Sequence, residues 1–289
     1  MNNDDDSPLP GTEVHSLRSD HVGDDFKILV GQPASPGLRP PKVLFMGDPW
    51  ANFGTAVEIT RMLGETGDLP PLLVVAVGYR VATLQDNYPL RTRDFTPGVD
   101  VTTGHDDPTM IGGAPRFLAF LRDELLPWVE GRYDVDTNDS TFFGDSLGGL
   151  FATYVLLTEP DTFARYAIGS PSLYWGDGAM FELEADYARH HDDLPARVSF
   201  SIGAYENSAG DRHWREQLPA ARRAAAEAEA SGEPPFDMVA DSERMVGLLR
   251  GRAYPSLELD YEVLPGEYHQ TAPPLNLSRS LRTLFDAPH

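Results

Sequence analysis

The chain has 289 residues, 45 acidic against 23 basic side chains and no cysteine. A net charge of −22 would repel a phosphate backbone, which disfavours nucleic-acid binding. The absence of cysteine excludes disulfide frameworks, thiolate metal sites and a cysteine nucleophile. No apolar run approaches the roughly 20 residues of a membrane-spanning helix, and the N-terminal segment lacks the apolar stretch of a secretory signal, so we expect a cytoplasmic protein without a membrane partner.

Along the chain, short apolar segments alternate with helical patterns. Residues 1–11 are polar and predict a disordered leader, ahead of a single domain over residues 12–289. Unbroken apolar runs bounded by turn residues are typical of parallel strands buried on both faces. Strands are predicted at Glu13–Ser19, Phe26–Val30, Val43–Met46, Leu72–Val77, Thr141–Phe143, Tyr166–Ile168, Val198–Ile202 and Leu257–Val263.

Helical patterns occupy several of the intervals. Apolar spacing predicts helices over Pro115–Glu130, with a kink near Pro127, and over Leu147–Leu157. An Ala- and Glu-rich segment, Ala220–Ala230, predicts an exposed helix. The alternation of strands and helices predicts an α/β fold with a mostly parallel sheet.

Two long stretches, Arg80–Pro115 and Trp175–Pro195, show little regular periodicity. Loops of this length inside a domain are usually functional or mobile. We expect both to surround the carboxyl ends of the strands, where ligands bind in open α/β sheets.

The most specific motif is Gly144-Asp145-Ser146-Leu147-Gly148, a Gly-x-Ser-x-Gly sequence between a predicted strand and a predicted helix. A tight turn of this type raises the serine hydroxyl above the sheet, and its glycines keep Cβ atoms away from the neighbouring strand and helix. The amide of Leu147 at the helix N-terminus is suited to donate to a developing oxyanion. The motif predicts Ser146 as a nucleophile; a plain glycine-rich start of a helix is the alternative.

A serine nucleophile needs a base, which in α/β-hydrolases follows the acid along the chain. His269 lies on a loop after the last predicted strand and is the expected base. The other histidines after Ser146 lie in polar stretches or at the chain end: His190, His191, His213 and His289.

The acid that orients the histidine is expected directly after the strand Val198–Ile202. Glu206 occupies that place and is the predicted acid. Because acidic residues are abundant, Asp211 and Asp177 are kept as alternatives.

The second oxyanion donor is expected from Gly47-Asp48-Pro49-Trp50, which follows the strand Val43–Met46. Pro49 has no N–H, so the backbone amide of Trp50 is the predicted donor, with a simple Asp-Pro turn as the alternative. The sequence contains no Walker loop, His-Glu-x-x-His, Gly-x-Gly-x-x-Gly after a strand or Ser-x-x-Lys. We therefore expect neither a metal nor an organic cofactor.

With these residues in place, the chain resembles the putative-esterase family of α/β-hydrolases, which includes the ferric-enterobactin esterases. The resemblance covers about residues 12–286 and rests, beyond the serine motif, on segments Val75–Tyr79, Arg91–Pro97, Phe117–Pro127, Ser170–Trp175 and Gly266–His269. Pro49 departs from the family pattern, which has glycine in the Asp-Gly turn.

The resemblance implies an α/β-hydrolase fold with a mostly parallel central sheet of about eight strands. It further implies a serine esterase that acts on a small-molecule ester through an acyl-enzyme. In siderophore esterases the arginine of the Arg-x-x-Asp loop is expected to hold the anionic ligand, which here falls on Arg91, and Arg93 and Trp175 are expected as further substrate contacts. Feruloyl and acetyl-type esterases, acyltransferases and a non-catalytic hydrolase-fold binding protein remain the alternatives.

Overall fold

A twisted sheet of eight strands runs through the computed structural model, which describes residues 9–35, 40–98, 108–220, 222–223 and 237–286. Its strand order is β1-β2-β4-β3-β5-β6-β7-β8. The strands are β1 (Thr12–Arg18), β2 (Asp25–Gly31), β3 (Lys42–Met46), β4 (Leu72–Tyr79), β5 (Ser140–Asp145), β6 (Arg165–Gly169), β7 (Arg197–Gly203) and β8 (Glu258–Leu264). Strand β2 pairs antiparallel with β1 and with β4, and the other neighbouring strands pair in parallel. The predicted α/β-hydrolase fold with a mostly parallel sheet is confirmed, as are the eight predicted strands.

Helices cover both faces of this sheet. They are α1 (Pro49–Thr66), α2 (Leu84–Phe95), α3 (Ala114–Phe120), α4 (Leu126–Glu130), α5 (Leu147–Thr158), α6 (Trp175–His190), α7 (Ser208–Gln217), α8 (Met238–Arg252) and α9 (Pro273–Phe285). Of these, α1, α7, α8 and α9 were not identified from the sequence, and α2 and α6 lie in segments that were predicted as loops. Among the described residues, no helix combines the length and the apolar character needed to cross a membrane.

Two hydrophobic cores lie on the opposite faces of the sheet. Strand β4 contributes to both cores. Its residues Leu73 and Val75 belong to one core, and Leu72 and Val74 belong to the other. Helices α1 and α9 cover the second core, and α3, α5 and α6 contribute to the first. A strand with apolar side chains on both faces needs helices on both sides, as expected for parallel strands.

The predicted helix over Pro115–Glu130 is present as three consecutive helical pieces. Between α3 and α4, residues Leu121–Leu125 form a π-turn, in which the Leu126 amide donates to the Leu121 carbonyl. The wider turn directly precedes Pro127, which has no amide hydrogen to continue the ladder. The expected irregularity near Pro127 is therefore a π-turn.

The prediction that residues 80–115 form a long loop is wrong for its first half, which contains α2. The Thr83 side chain caps this helix by accepting from the Asp86 amide at 3.1 Å. Its buried side chains are Asn87, Thr92, Asp94 and Phe95. A helix that buries mainly polar residues leaves no apolar period in the sequence. Residues 99–107 lie outside the described part of the chain.

The prediction for residues 175–195 is wrong in the same way, because α6 occupies most of the segment. Gly176, Asp177 and Gly178 have left-handed backbone conformations that interrupt its first turn. Farther along, the buried Glu184 carboxylate pairs with Arg252 of α8 at 2.8 Å. Because of the glycines at its start and the buried charged residue in its middle, this helix shows no regular apolar period in the sequence.

Other expectations fall at the edges of the described residues. Residues 9–11 form a turn that leads into β1, and residues 1–8 of the predicted leader lie outside the described part. Of the predicted helix over Ala220–Ala230, residues 221 and 224–230 lie outside it as well.

The carboxyl ends of the parallel strands meet at one edge of the sheet. Asp145 at the end of β5 is paired with Gly169 of β6, and Gly203 of β7 with Leu264 of β8. The loops after these strands, and the loop after β3, therefore open on the same side of the molecule. This edge carries the residues predicted for chemistry.

The junction between β5 and α5 is too close for side chains at two glycines. A Cβ on Gly144 would lie 2.0 Å from the Gly148 carbonyl oxygen, and one on Gly149 would lie 2.5 Å from the Gly169 carbonyl oxygen. A Cβ on Gly148 would meet its nearest atom, Oδ2 of Asp48, at an ordinary 3.4 Å. The motif predicts that a side chain is excluded at Gly148. In the structure the excluded position after the serine is Gly149 instead.

We expect Gly149→Ala to lower the free energy of unfolding by about 1–3 kcal/mol, because its methyl group overlaps backbone atoms that cannot move freely. Gly148→Ala is the matched control, since alanine has the higher helix propensity and finds room there. Urea denaturation of both variants measures the difference. Equal stability of the two variants would contradict the assigned close contact.

Candidate active site

Ser146 occupies the turn between β5 and α5 in a conformation that side chains rarely adopt, with φ 61° and ψ −120°. Its amide donates to the Gly169 carbonyl at 3.1 Å, and its carbonyl accepts from the amides of Leu150 at 2.9 Å and Ser172 at 3.2 Å. These three bonds tie the turn to β6, to α5 and to the segment after β6. The serine hydroxyl is thereby fixed at the carboxyl edge of the sheet.

The structure brings His269 to this serine across 123 positions of the sequence. His269 lies on the loop after β8, and its Nε2 is 3.0 Å from Oγ of Ser146. Its Nδ1 is 2.5 Å from Oε2 of Glu206, the first acidic residue after β7. A serine, an imidazole and a carboxylate are thus joined in one hydrogen-bonded row.

Glu206 is 2% exposed and is held by groups other than the histidine. Its Oε1 accepts from the Gly203 amide at 2.8 Å and from the Ser170 hydroxyl at 2.5 Å. A buried carboxylate needs such donors to remain ionised. Its remaining oxygen is therefore directed at the histidine.

The alternative acids and bases lie elsewhere. Asp211 is on α7 and pairs with Arg215 at 2.6 Å, and Asp177 is exposed at the start of α6. His190 is bonded to the Asp186 carbonyl. The remaining histidines are His191, which stacks on Tyr187; His213, which contacts Gln217; and His289, which is outside the described residues.

The electrostatic surroundings favour a charged imidazole. Burial on its own would lower the pKa of His269, but the hydrogen bond to Glu206 and the charges of Glu206 and Asp145 outweigh it. The pKa of His269 is raised above the ordinary histidine value as a result. The site is therefore suited to stabilise an imidazolium formed when a proton leaves a serine.

A second buried carboxyl, Asp145, lies beside this row. Burial raises its pKa to about 7, although the His269 charge and the hydrogen bond from Asn276 act in the opposite direction. The Asn276 side chain donates to Asp145 at 2.8 Å and to the Ser170 hydroxyl at 2.9 Å. Asn276 therefore links Asp145 to the hydroxyl that supports Glu206. The sequence offered no signal for Asn276, and Ser170 was noted only as the first residue of the segment Ser170–Trp175, with no role assigned to it.

Both predicted oxyanion donors open helices at this edge. Leu147 is the first residue of α5, and Trp50 lies in the first turn of α1. Strands β3 and β5 are paired neighbours, with Met46 opposite Phe143. The two helix N-termini consequently lie side by side, and both direct amides and a favourable dipole toward the same edge.

The two arginines predicted to bind substrate are each paired with carboxylates. Nε of Arg91 donates to Asp48 at 2.6 Å, close to the serine turn. Arg93 donates to Asp94 through two nitrogens at 2.8 Å and to Asp24 at 3.1 Å. The structure therefore brings Arg91 to the site and directs Arg93 to carboxylates that are not part of the serine row.

Trp175 does not form part of an open surface, because its side chain is 6% exposed within the core. This placement corrects its prediction as a substrate contact. Aromatic side chains that are accessible at the carboxyl edge are Trp50, Tyr174 and Tyr205. Tyr205 also stacks on Tyr268 with ring centroids 5.0 Å apart. Trp50, Tyr174 and Tyr205 follow strand ends, so their position at the carboxyl edge could have been inferred from the sequence.

A cavity of about 750 Å³ lies away from this chemistry. Its lining includes Asn138, Thr162 and Pro195, which precede β5, β6 and β7. It therefore opens at the amino ends of the strands, opposite Ser146. Among the residues that the structure describes, no group of three histidine or acidic side chains is arranged to hold a metal ion.

Comparison with known proteins places this geometry in a family. Residues 19–232 match the family described as Putative esterase. The chain is 36% identical over 179 residues to the ferri-bacillibactin esterase BesA of Bacillus subtilis, covering 58% of this chain and 60% of that protein. It is 27% identical to the siderophore triacetylfusarinine C esterase of Aspergillus fumigatus, over 96% of this chain and 94% of that protein.

A solved structure shows the same fold over nearly the whole length. The BES protein from Bacillus cereus superposes with a TM-score of 0.77 at 25% identity and covers 97% of both chains. The sequence match to the Bacillus subtilis protein spans about three fifths of that relative's length. Since the family match extends over well more than half of the residues, the chain belongs to the Putative esterase family of α/β-hydrolases.

Proposed function

We propose that the protein is a serine carboxylic-ester hydrolase that works through an acyl-enzyme. The observation that carries this proposal is the row Ser146–His269–Glu206, with 3.0 Å between Oγ and Nε2 and 2.5 Å between Nδ1 and the carboxylate. Hydrogen-bonded contact between nucleophile, base and orienting acid is what serine acyl transfer requires. Membership of the esterase family supports the same reaction class.

In the proposed reaction, Nε2 of His269 accepts the hydroxyl proton as Oγ of Ser146 attacks the ester carbonyl carbon. The amides of Leu147 and Trp50 donate to the oxyanion, and Glu206 stabilises the imidazolium. Collapse of the tetrahedral intermediate expels the alcohol, which receives the proton from His269. A water molecule, deprotonated by His269, then attacks the acyl-serine. Collapse of this second tetrahedral intermediate releases the carboxylic acid, and His269 returns its proton to Oγ of Ser146.

For the substrate we propose a small ester of the siderophore type, because the named relatives are siderophore esterases. The exposed aromatic rings at the carboxyl edge offer planar apolar surfaces for such a ligand. The arginines do not support recognition of a highly anionic ligand, since Arg91 and Arg93 are paired with carboxylates. This charge balance favours an uncharged or weakly charged ester as the second candidate substrate.

We expect a fluorophosphonate probe to label the protein at Ser146, because a serine activated by a neighbouring histidine displaces fluoride from the probe and becomes phosphonylated. Ser146→Ala should abolish labelling and lower kcat for p-nitrophenyl butyrate on the order of 10⁶-fold. Ser256→Ala, at an exposed serine before β8, is the matched control. Intact-mass spectrometry and ester hydrolysis give the two measurements. Unchanged labelling of Ser146→Ala would exclude the proposed nucleophile.

We expect Glu206→Gln to lower kcat on the order of 10⁴-fold, since the neutral amide no longer stabilises the imidazolium. Loss of the negative charge also removes the main interaction that raises the pKa of His269. The rise of kcat/KM with pH, which reports loss of the His269 proton, should therefore move to lower pH. Asp211→Asn serves as the control for the alternative acid. If this control rather than Glu206→Gln changes the profile, the acid is assigned wrongly.

Substrate class is tested with a catecholate trilactone, a hydroxamate siderophore ester, a feruloyl sugar and p-nitrophenyl esters. We expect the wild-type protein to hydrolyse the siderophore esters and the simple esters, with all rates lost in Ser146→Ala. Product analysis in the presence of added alcohols separates hydrolysis from acyl transfer. Activity on simple esters alone would remove the siderophore-type proposal and leave the esterase proposal intact.

A further inference from the structure

We propose that Arg91 is a positioning residue that fastens the loop after β3 to the serine turn, rather than an anchor for an anionic substrate. The inference rests on the proposed function. It starts from two hydrogen bonds of one guanidinium group: Nε donates to Oδ1 of Asp48 at 2.6 Å, and Nη2 donates to the Asp145 carbonyl at 3.2 Å. The Arg91 and Asp48 side chains are only 13% and 14% exposed.

The two partners belong to the two segments that supply the proposed oxyanion donors. Asp48 is two residues before Trp50, and Asp145 directly precedes Ser146 and Leu147. A guanidinium group is planar and rigid, so donating to both segments at once fixes their separation and orientation. Arg91 therefore determines how the Trp50 amide is placed relative to the Leu147 amide.

The loop after β3 needs such a restraint because of its backbone. Asp48 has φ 53° and ψ 53°, a left-handed conformation that non-glycine residues seldom hold without support. The next residue, Pro49, has its ring against Gly78 of β4, where a Cβ would lie 2.5 Å from Cγ of the proline. The proline and the Asp48–Arg91 ion pair thus hold the loop from two sides.

Helix α2 supplies a second contact to both segments through Phe95. A Cβ on Gly47 would lie 2.5 Å from the Phe95 ring, and one on Gly148 would lie 3.8 Å from it. The Arg91 guanidinium carbon lies 5.8 Å from the centre of the same ring. One helix, through Arg91 and Phe95, therefore braces the loop after β3 and the start of α5 together.

The charge of Arg91 is compensated inside the protein. Burial disfavours the charged guanidinium, but the charge and hydrogen bond of Asp48 outweigh it and raise the pKa of Arg91. An anionic ligand would have to compete with a carboxylate 2.6 Å from Nε. The ion pair is consequently better suited to hold protein segments than to attract a substrate.

The experiment compares a neutral ester, p-nitrophenyl acetate, with an anionic one, p-nitrophenyl hemisuccinate, for the wild-type, Arg91→Gln, Asp48→Asn and double-variant proteins. A positioning role predicts that kcat falls about 10²-fold on both esters, because a misplaced oxyanion donor weakens transition-state stabilisation. KM should change little. The double variant should lose no more than Arg91→Gln alone, since both substitutions break the same connection.

Arg252→Gln is the matched control, because Arg252 also pairs with a buried carboxylate, Glu184, and contacts neither segment. It should lose thermal stability with kcat unchanged. If Arg91→Gln is too unstable to purify, Arg91→Lys retains a charge without the planar donor pair and should lower kcat equally on both esters.

A loss confined to the hemisuccinate, expressed mainly in KM, would overturn the inference and restore Arg91 as a ligand anchor. Unchanged kcat in Arg91→Gln and Asp48→Asn would also overturn it. Failure of the proposed function is distinguishable, because the wild-type protein would then show no hydrolysis and no labelling that depend on Ser146.

Discussion

Ser146 holds a left-handed backbone conformation between β5 and α5, and each other part of the site is arranged around that turn. Such a conformation costs a non-glycine residue on the order of 1–3 kcal/mol and persists only where its surroundings enforce it. Here the enforcement comes from backbone bonds to Gly169, Leu150 and Ser172, and from close contacts that forbid side chains at Gly144 and Gly149. The fold therefore uses part of its packing energy to present one hydroxyl group at the carboxyl edge of the sheet.

Around this turn the structure compensates three carboxylates that are buried or largely buried. Glu206 faces His269, Asp48 faces Arg91, and Asp145 is bonded to Asn276. Unpaired burial of any of these carboxylates would be costly, and the least compensated one, Asp145, has a pKa raised to about 7 by burial. The excess of acidic residues seen in the composition thus extends into the site. It leaves little free positive charge at the site to attract an anionic ligand.

Much of the fold was predictable because its signals are local. Most of the strands are short apolar segments, although β1 is largely polar and β8 alternates polar and apolar residues. The serine turn is marked by glycines within a few residues. The helices α2 and α6 escaped prediction, since their buried faces include Asp94 and Glu184. In addition, α2 contains Pro89 in its interior, and the first turn of α6 contains left-handed glycines. An apolar period cannot reveal a helix whose buried side chains are polar and are satisfied by distant partners.

The sequence by itself determined the order of the strands along the chain, the position of Ser146 on a tight turn, and the placing of Glu206 and His269 after successive strands. Only the tertiary structure shows which acidic residue contacts His269, since the contact of Glu206 with His269 spans 63 positions and Asp211 pairs with Arg215 instead. It also decided that Arg91 pairs with Asp48 and that Trp175 is buried. Backbone periodicity and turn chemistry act over a few residues, whereas the partner of a charged side chain depends on which distant segments the sheet brings to its edge.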